Sequence, residues 1–420
     1  MIKCFTPFKE RTFYTVIRGE ERVAYCCKIK GLPVSMFNSN KFLKELNSTE
    51  KNTPSLCSYC WRAEELGQMS WRRLEGKVPD KWKNVDLLSH PRGKLVQTIK
   101  IATDSVCDSA CVYCDANNST VWDAEVVRHE NAVDEFLPKF KYGNYYVKKD
   151  FQTDDKKIKR VKLYLTYVGS EIYKYEDHFN LNFLGGEPFL SPHLRDGKFI
   201  EFIDCFFKKA PHDFPLIYEF NTNANTPKKI FEKNLSVLYN IKQKYKNSTP
   251  KVVISGESTG NAFNYIRYGS NYDLFVKNVE SYMAIDKWLQ VSFGLAINAF
   301  CIPTLSDYFK FIFSLAKKYD RPIGITAGTV YKPHSMHPSV LPNTKYFRDC
   351  IDNAINEIDK SFIVEHNNVD NLIHLLHSIK KNLGQEKKLI PELKGYVKYF
   401  NITRNVKIED HIPELAFLNE

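Results

Sequence analysis

Long apolar segments are missing from this sequence, as are several motifs that would point to common catalytic sites. No stretch of about 18 apolar residues occurs in the 420 residues, so no transmembrane helix is expected. The N-terminal MIKCFTPFKER lacks the apolar core of a secretory signal, which predicts a cytoplasmic protein. The eleven histidines form no H-E-x2-H pair, and no Ser-His-Asp arrangement or Gly-rich phosphate loop stands out.

Cysteine, by contrast, is abundant, because the chain contains eleven. Disulfides are rare in the reducing cytosol, so a disulfide framework is not expected. Eight cysteines lie within the first 114 residues, and only Cys205, Cys301 and Cys350 are scattered. This clustering favours metal binding over eleven separate buried thiols.

The charge of the chain is strongly positive, with a formal net charge of +11. Such a surface can attract nucleic acid, an acidic peptide or an anionic cofactor. The basic stretches 148–162 and 242–251 also contain acidic and polar residues, and they lack the regular aromatic interleaving of a single-strand nucleic-acid surface. A solvated lysine-rich surface is the simpler interpretation, and nucleic acid is not the expected partner.

Apolar segments alternate with helical patterns through the middle of the chain. The predicted strands are 95–103, 179–184, 216–223, 251–257, 290–298 and 322–330. This alternation predicts an α/β fold with a parallel sheet, open or curled into a partial barrel, and it puts the chemistry at the carboxyl ends of the strands. Residues 138–177 interrupt the pattern and predict an insertion, with a strand at 161–168.

Three cysteines follow the first of these strands, in the motif CDSACVYC. They are Cys107, Cys111 and Cys114, and no fourth cysteine or histidine follows closely. Thiolates select soft metals, chiefly zinc and iron–sulfur clusters. A structural zinc ion requires four ligands, whereas three cysteines on a short loop suit a [4Fe–4S] cluster whose fourth iron can bind a small molecule.

The spacing C-x3-C-x2-C, with Tyr113 before the last cysteine, resembles the signature of radical S-adenosylmethionine (radical SAM) enzymes. FLGGEPFL (183–190), at the end of the second predicted strand, resembles the Gly-Gly-Glu-Pro motif of the same family. The resemblance implies a partial parallel (β/α)6 barrel. It implies that the reduced cluster cleaves SAM to a 5′-deoxyadenosyl radical, which abstracts hydrogen from a substrate. It also implies that Gly185, Gly186 and Glu187 position SAM, since glycines let the backbone approach a ligand closely.

Further stretches extend the resemblance, namely FNTN (220–223), VISGES (253–258) and NYIRYGS (264–270). They imply that Arg267 pairs with the SAM carboxylate through two hydrogen bonds. The alternative is that Arg267 is an arginine on the surface of a helix. Glu257 departs from the acid that the family pattern expects, which leaves its role open. The cofactor-binding residues implied in this way are Tyr113, Asn223, Ser255, Glu257 and Arg267.

A second cysteine group lies in the predicted N-terminal unit, where RTFYTVI-RGEE-RVAYCC predicts a β-hairpin. The pattern resembles the twitch domain, a short form of the SPASM domain, and implies an auxiliary iron–sulfur cluster. Its ligands would be Cys4, Cys26, Cys57 and Cys60, with Cys27 as the alternative to Cys26. A stabilising zinc ribbon is the other interpretation of these residues.

Together these features predict three domains. Residues 1–93 form the twitch-like domain, 94–330 the radical SAM barrel and 331–420 a helical C-terminal extension. The resemblance favours oxidation or epimerisation of a peptide or protein side chain, with an external electron donor such as flavodoxin or ferredoxin. Cys301, after the fifth predicted strand, is a candidate hydrogen donor, and a core thiol is the alternative.

Two other functions stay open at this point. One is a dehydrogenase of a small sugar or aminocyclitol, which is also known among twitch enzymes. The other is a zinc-stabilised nucleic-acid-binding protein without catalysis.

Overall fold

A computed structural model describes residues 97–137, 155–364 and 366–420, together with Glu64 and three short strands near the N-terminus. The strands are β1 (Glu10–Ile17), β2 (Glu20–Ala24), β3 (Leu32–Pro33), β4 (Thr98–Ala102), β5 (Ala110–Cys111), β6 (Phe179–Leu184), β7 (Leu216–Thr222), β8 (Ser248–Ser255), β9 (Arg267–Tyr268), β10 (Gln290–Ile297) and β11 (Gly324–Thr329). The helices are α1 (Thr120–Arg128), α2 (Glu130–Phe136), α3 (Asp155–Glu171), α4 (Ile200–Phe207), α5 (Lys228–Lys244), α6 (Gly260–Ile266), α7 (Tyr272–Met283), α8 (Leu305–Lys318), α9 (Lys345–Asn356), α10 (His366–Asn382), α11 (Ile390–Arg404) and α12 (Ile408–His411).

All six strands predicted for the alternating region are present, as β4, β6, β7, β8, β10 and β11. The chain divides into two compact units, and residues of β8 belong to both. The α/β class with a central parallel sheet is therefore confirmed. The barrel curvature and the domain boundaries at residues 93 and 330 stay predictions.

The first unit comprises the described residues of 1–105, 149–221 and 228–251. Its strands lie in the order β3-β2-β1-β4-β6-β7. β1 and β2 pair antiparallel, which confirms the predicted hairpin, and β1 then runs parallel to β4. The hairpin thus extends the sheet at the edge of β4, an arrangement that the sequence did not predict. β4, β6 and β7 follow one another in parallel, so their carboxyl ends meet at one edge.

An aromatic core holds this unit together. Along β6, burial alternates with a period of two, so Phe179, Leu181 and Phe183 all face the core. Phe183 stacks on Phe220 of β7 with ring centroids 4.7 Å apart, and Phe179 stacks on Phe206 of α4 at the same distance. Stacked rings on neighbouring elements fix the strands against the helix layer and therefore fix the loops at the strand ends.

The strand predicted at residues 161–168 is wrong, because this segment belongs to α3. The β-branched and aromatic residues in VKLYLTYV suggested a strand. The buried positions are Ile158, Val161, Leu165, Val168 and Ile172, however, and their spacing of three and four residues is helical.

The second unit comprises the described residues of 106–148, 222–227 and 252–420. It contains the carboxyl half of β8 with β10 and β11, and β10 and β11 pair in parallel with Phe293 opposite Ile325. A separate two-stranded antiparallel sheet joins β5 to β9. The remainder, from residue 331 onward, is helical as predicted, with α9 to α12. In the part of the chain that the structure describes, no helix has both the length and the apolar character to cross a membrane.

Two leucines on α3 test its helical assignment. Leu163 is 62% exposed and Leu165 is fully buried, although a strand would put both on the same face. We expect Leu165→Ala to lower the free energy of unfolding by about 2–5 kcal/mol through loss of packing. The matched Leu163→Ala change should stay within about 0.5 kcal/mol. Urea unfolding followed by circular dichroism measures both, and equal costs would contradict the helix.

Candidate functional site

The Gly-Gly turn of the first unit follows β6 and lies against the end of β4. Gly185 has a φ of +122°, and a Cβ atom there would lie 2.5 Å from the carbonyl oxygen of Asp104. The backbone N–H of Gly186 donates to that same oxygen at 3.3 Å. Only glycine fits at position 185, because a side chain would meet both an unfavourable φ and an immovable backbone atom.

Polar side chains surround this turn. The Glu187 carboxylate is buried and accepts a hydrogen bond from the N–H of Phe189 at 3.1 Å. The Asp104 carboxylate accepts from the hydroxyls of Ser191 and Thr103. Sequence reasoning missed the role of Asp104 as the support of the turn. Its position could have indicated this role. Asp104 follows β4 and the Gly-Gly turn follows β6, and the carboxyl ends of these two parallel strands lie side by side.

The three-cysteine loop belongs to the second unit. Cys111 lies in β5 opposite Arg267 of β9, and the N–H of Val112 donates to the carbonyl of Ile266 at 2.8 Å. The N–H of Cys114 donates to the Cys111 carbonyl at 2.9 Å, which closes a tight turn between these two cysteines. All three cysteines are half-buried residues, and none forms a disulfide.

Helix α1 supports this loop from behind. Its N-cap Ser119 accepts from the N–H of Trp122 and donates to the carbonyl of Ser109 at 2.6 Å. The indole N–H of Trp122 donates to the Cys111 carbonyl at 2.7 Å, and Thr120 hydrogen bonds to both the N–H and the carbonyl of Cys107. The positive end of the helix dipole therefore lies beside the loop, where it favours negatively charged ligands.

A buried ion pair stands next to Cys111. Arg267 Nη2 lies 2.8 Å from Glu257 Oε2, and these two side chains are only 4% and 0% exposed. Tyr113 donates its hydroxyl to the same carboxylate at 3.1 Å, and Arg267 Nη1 lies 3.9 Å from the sulfur of Cys111. The structure thus joins four of the predicted site residues in one cluster. Glu257 neutralises Arg267, a partnership that the sequence did not predict.

Two thiols of this loop, those of Cys111 and Cys114, have raised pKa values. Burial raises the pKa of Cys111, an effect that the positive charge of Arg267 opposes. Burial also holds the pKa of Cys114 well above its ordinary value. A metal that binds here must therefore displace protons from the thiols.

Asn223, at the end of β7, also contacts the cysteine loop. Its side-chain amide donates to Asp108 Oδ1 at 2.6 Å and to Ser109 Oγ at 3.1 Å, while its oxygen accepts from the N–H of Asn225. The sequence resemblance implied a SAM contact for this residue, which stays a prediction, and in the structure its side-chain amide supports the cysteine loop. Asp108 and Ser109, within CDSAC, were not singled out from the sequence.

Two other predicted residues of the second unit, Ser255 and Cys301, have different surroundings. Ser255 is the half-buried last residue of β8. Cys301 follows β10 and is fully buried; its thiol donates to the Asn298 carbonyl at 3.2 Å and accepts from the Asn298 N–H at 3.3 Å. Burial raises the pKa of Cys301. These contacts suit a thiol that stabilises the turn after β10, and a role as hydrogen donor stays a prediction.

The side chains of the three-cysteine loop decide which metal group the loop can bind. Among the described residues, no three His, Cys, Asp or Glu side chains are grouped around a position for a single metal ion. The triad supplies three free thiols on one short loop, and thiolates are the ligands that iron–sulfur clusters take. The residue types therefore fit such a cluster.

The predicted auxiliary site cannot be described in the same way. Cys4, Cys26, Cys27, Cys57 and Cys60 all lie outside the described residues. The auxiliary cluster and its zinc alternative both stay predictions.

Comparisons with known proteins give distant similarities only. No protein-family model matches the chain, and no curated protein matches it. A solved structure titled "Native anSMEcpe with bound AdoMet" is 14% identical, with a TM-score of 0.38, and covers 61% of this chain and 58% of its own. A structure of the same protein with AdoMet and the Kp18Cys peptide is 14% identical, with a TM-score of 0.37, and the match covers 61% of this chain and 57% of that one. A structure of TYW1 with a lysine-pyruvate adduct is 14% identical, with a TM-score of 0.29, and the match covers 68% of this chain and 74% of that one. The chain thus spans less than two thirds of the anSMEcpe chain.

Gly185→Ala tests the tight approach of the turn to Asp104. Gly260 offers a matched control, because it also has a positive φ, of +55°, but nothing lies within 4 Å of its absent Cβ. We expect Gly260→Ala to cost about 1–2 kcal/mol of unfolding free energy, and Gly185→Ala to cost a further ~1–3 kcal/mol from the clash and strain. Urea unfolding of the two variants measures the difference. Equal costs would show that the turn relaxes away from Asp104.

Proposed function

We propose that this chain is a radical SAM enzyme. The observation that carries the proposal is the three-cysteine loop of the second unit. Cys107, Cys111 and Cys114 are half-buried residues with free thiols, on a loop that β9, α1 and Asn223 brace. Such a loop can hold three irons of a [4Fe–4S] cluster and leave the fourth iron for SAM. A bound cluster would supply the electron that cleaves SAM to methionine and a 5′-deoxyadenosyl radical.

The Gly-Gly turn of the first unit is proposed to hold the amino group of SAM. Gly185 lets this turn lie close against Asp104, and Glu187 adds a buried carboxylate that can accept from an ammonium group. Backbone carbonyls of such a turn can accept from the same group.

In the second unit, the proposed SAM contacts are Tyr113, Asn223, Ser255, Glu257 and Arg267. Buried polar atoms without a hydrogen-bond partner among the described residues support a polar ligand here. They include Arg267 Nε, Asn225 Nδ2, Thr226 Oγ1 and Ser258 Oγ. Buried polar groups normally find partners, so four unsatisfied atoms in the loops after β7, β8 and α6 favour a site that a ligand completes.

The substrate is proposed to be a peptide or protein side chain that the enzyme oxidises or epimerises. The net charge of +11 supports a substrate with acidic residues, because opposite charges accelerate association. An external electron donor such as flavodoxin or ferredoxin would reduce the cluster. Four of the five cysteines in residues 1–93, namely Cys4, Cys26, Cys57 and Cys60, are proposed to bind the auxiliary cluster, with Cys27 as the alternative to Cys26.

Removal of one triad thiol tests the proposed cluster. We expect anaerobically purified protein to contain iron and acid-labile sulfide, and to form 5′-deoxyadenosine from SAM and dithionite. Cys111→Ala should reduce that product to background, because one of three iron ligands is lost. Cys205→Ala, at a half-buried thiol on α4, is the control and should retain both cluster and product. Zinc without sulfide, or wild-type product from Cys111→Ala, would overturn the assignment.

The substrate class requires a separate experiment. Acidic peptides deuterated at their side chains or α-carbons should transfer deuterium into 5′-deoxyadenosine, and neutral or basic peptides of equal length should do so less. Added salt should narrow this difference, since it screens charges separated by more than about 8–10 Å. Deuterium transfer from a sugar or aminocyclitol but from no peptide would favour the dehydrogenase instead.

A further inference from the structure

The loop between β7 and α5, residues 222–227, contains a left-handed bend at Ala224. This alanine has a φ of +54° and is buried. Such a backbone conformation is costly for a residue with a Cβ atom, and glycine is the residue that usually adopts it. A bend of this kind persists only where the surrounding structure holds it, so the contacts of the loop show what it is built for.

Two side chains of the loop itself hold the N–H groups at the bend. Thr222 Oγ1 accepts from the N–H of Ala224 at 3.0 Å, and Asn223 Oδ1 accepts from the N–H of Asn225 at 2.9 Å. Both contacts join a side chain to the backbone two residues further along, as in the turns that threonine and asparagine commonly form. These local contacts satisfy the N–H groups of the bend and leave its carbonyl groups to other elements.

Helix α7 supplies the contacts for those carbonyls. Asn278 is 4% exposed, and its side-chain amide donates to the carbonyls of Ala224 and Thr226 at 2.9 Å each. An amide nitrogen carries two hydrogens, so one side chain can satisfy both carbonyls. The backbone N–H of Asn271, the N-cap of α7, donates to Asn225 Oδ1 at 2.8 Å. The helix therefore holds the loop on both sides of the bend.

Two hydrogen-bond donors of the loop are left over from this network. They are Asn225 Nδ2 and Thr226 Oγ1, which are buried and have no hydrogen-bond partner in the part of the chain that the structure describes. The two residues are 5% and 1% exposed. Because the oxygen of Asn225 is held by the N–H of Asn271, the orientation of the free amide nitrogen is fixed. Buried polar groups normally have partners, so a ligand with acceptor oxygens would complete this loop.

We propose that Asn278 is a positioning residue of the SAM site, which keeps the loop after β7 in its left-handed bend and so directs Asn225 Nδ2 and Thr226 Oγ1 to acceptor oxygens of SAM. SAM carries such oxygens in its carboxylate and ribose hydroxyl groups. This inference rests on the proposed function, because it takes SAM as the ligand. Asn278 acts through the loop, so its loss lowers the fraction of protein in the binding-competent shape, and the apparent affinity falls with that fraction.

Equilibrium binding of SAM to anaerobically reconstituted protein, measured by calorimetry, tests the role of Asn278. Asn278→Ala should raise the dissociation constant about tenfold, as expected for a loop that is correctly bent about a tenth of the time. Adding Ala224→Gly to that variant should restore part of the affinity, since glycine adopts the positive φ without steric cost. A residue that only stabilises the fold would not give this rescue of binding.

Thr226→Val tests the donor itself, because it removes the hydroxyl and nearly keeps the shape. The ligand-free variant should be as stable as the wild type or more stable, since a buried hydroxyl without a partner costs free energy. SAM binding should nevertheless weaken about fivefold, the usual value of one hydrogen bond. Thr166→Val on α3 is the matched control, because this hydroxyl already donates to the carbonyls of Lys162 and Cys205. It should lower stability and leave SAM binding unchanged.

Folding is controlled by urea unfolding of each variant. Asn382→Ala removes another buried amide of the second unit, which donates to the Ser378 carbonyl at 2.8 Å, and it should lower stability without changing SAM binding. Asn278→Ser, a smaller change, replaces Asn278→Ala in the same comparison if the alanine variant does not fold.

Two kinds of failure are distinguishable. Unchanged SAM binding by Asn278→Ala or by Thr226→Val, or an equal loss of affinity with alanine and with glycine at position 224, would overturn this inference. The proposed function would still stand if the wild type formed 5′-deoxyadenosine. Wild-type protein that neither binds SAM nor forms that product would overturn the proposed function and this inference together.

Discussion

The pairing of two short strands, β5 and β9, is the constraint on which the candidate site depends. It sets Cys111 opposite Arg267, and the guanidinium is then held between the thiol and the Glu257 carboxylate. Tyr113, one turn further along the loop, reaches the same carboxylate. The two-residue ladder and the Tyr113 hydrogen bond together fix the cysteine loop relative to this buried ion pair.

Buried ion pairs on this scale contribute little net stability, because desolvation of both charges offsets most of their attraction. The second unit contains two such pairs, Arg267–Glu257 and Arg404–Glu125. In both, the arginine acts on Cys111 in the direction that favours a thiolate. The proposed cluster would require these thiols as thiolates, a form that fixed positive charge nearby favours.

Local pattern predicted most of the fold correctly. Alternation of apolar residues identified the six parallel strands, and the turn RGEE identified the β1–β2 hairpin. It failed at α3, because the β-branched and aromatic residues of this segment have a high strand propensity. The spacing of its buried residues is helical, however, and packing against the core depends on that spacing. It also could not show that the hairpin joins the main sheet beside β4, since strand pairing is a non-local choice.

The sequence by itself determined the chemistry that is available: three thiols on one loop, a Gly-Gly turn at a strand end, and an arginine and acids that follow later strands. These features can be identified from residue types and from spacings of a few residues, so they need no knowledge of contacts between distant parts of the chain. Only the tertiary structure decided the partnerships, namely Arg267 with Glu257, Asn223 with Asp108, and Arg404 with Glu125. A buried charge must find a partner wherever the folded chain brings one near, and that partner is set by strand pairing and helix packing across up to 279 positions.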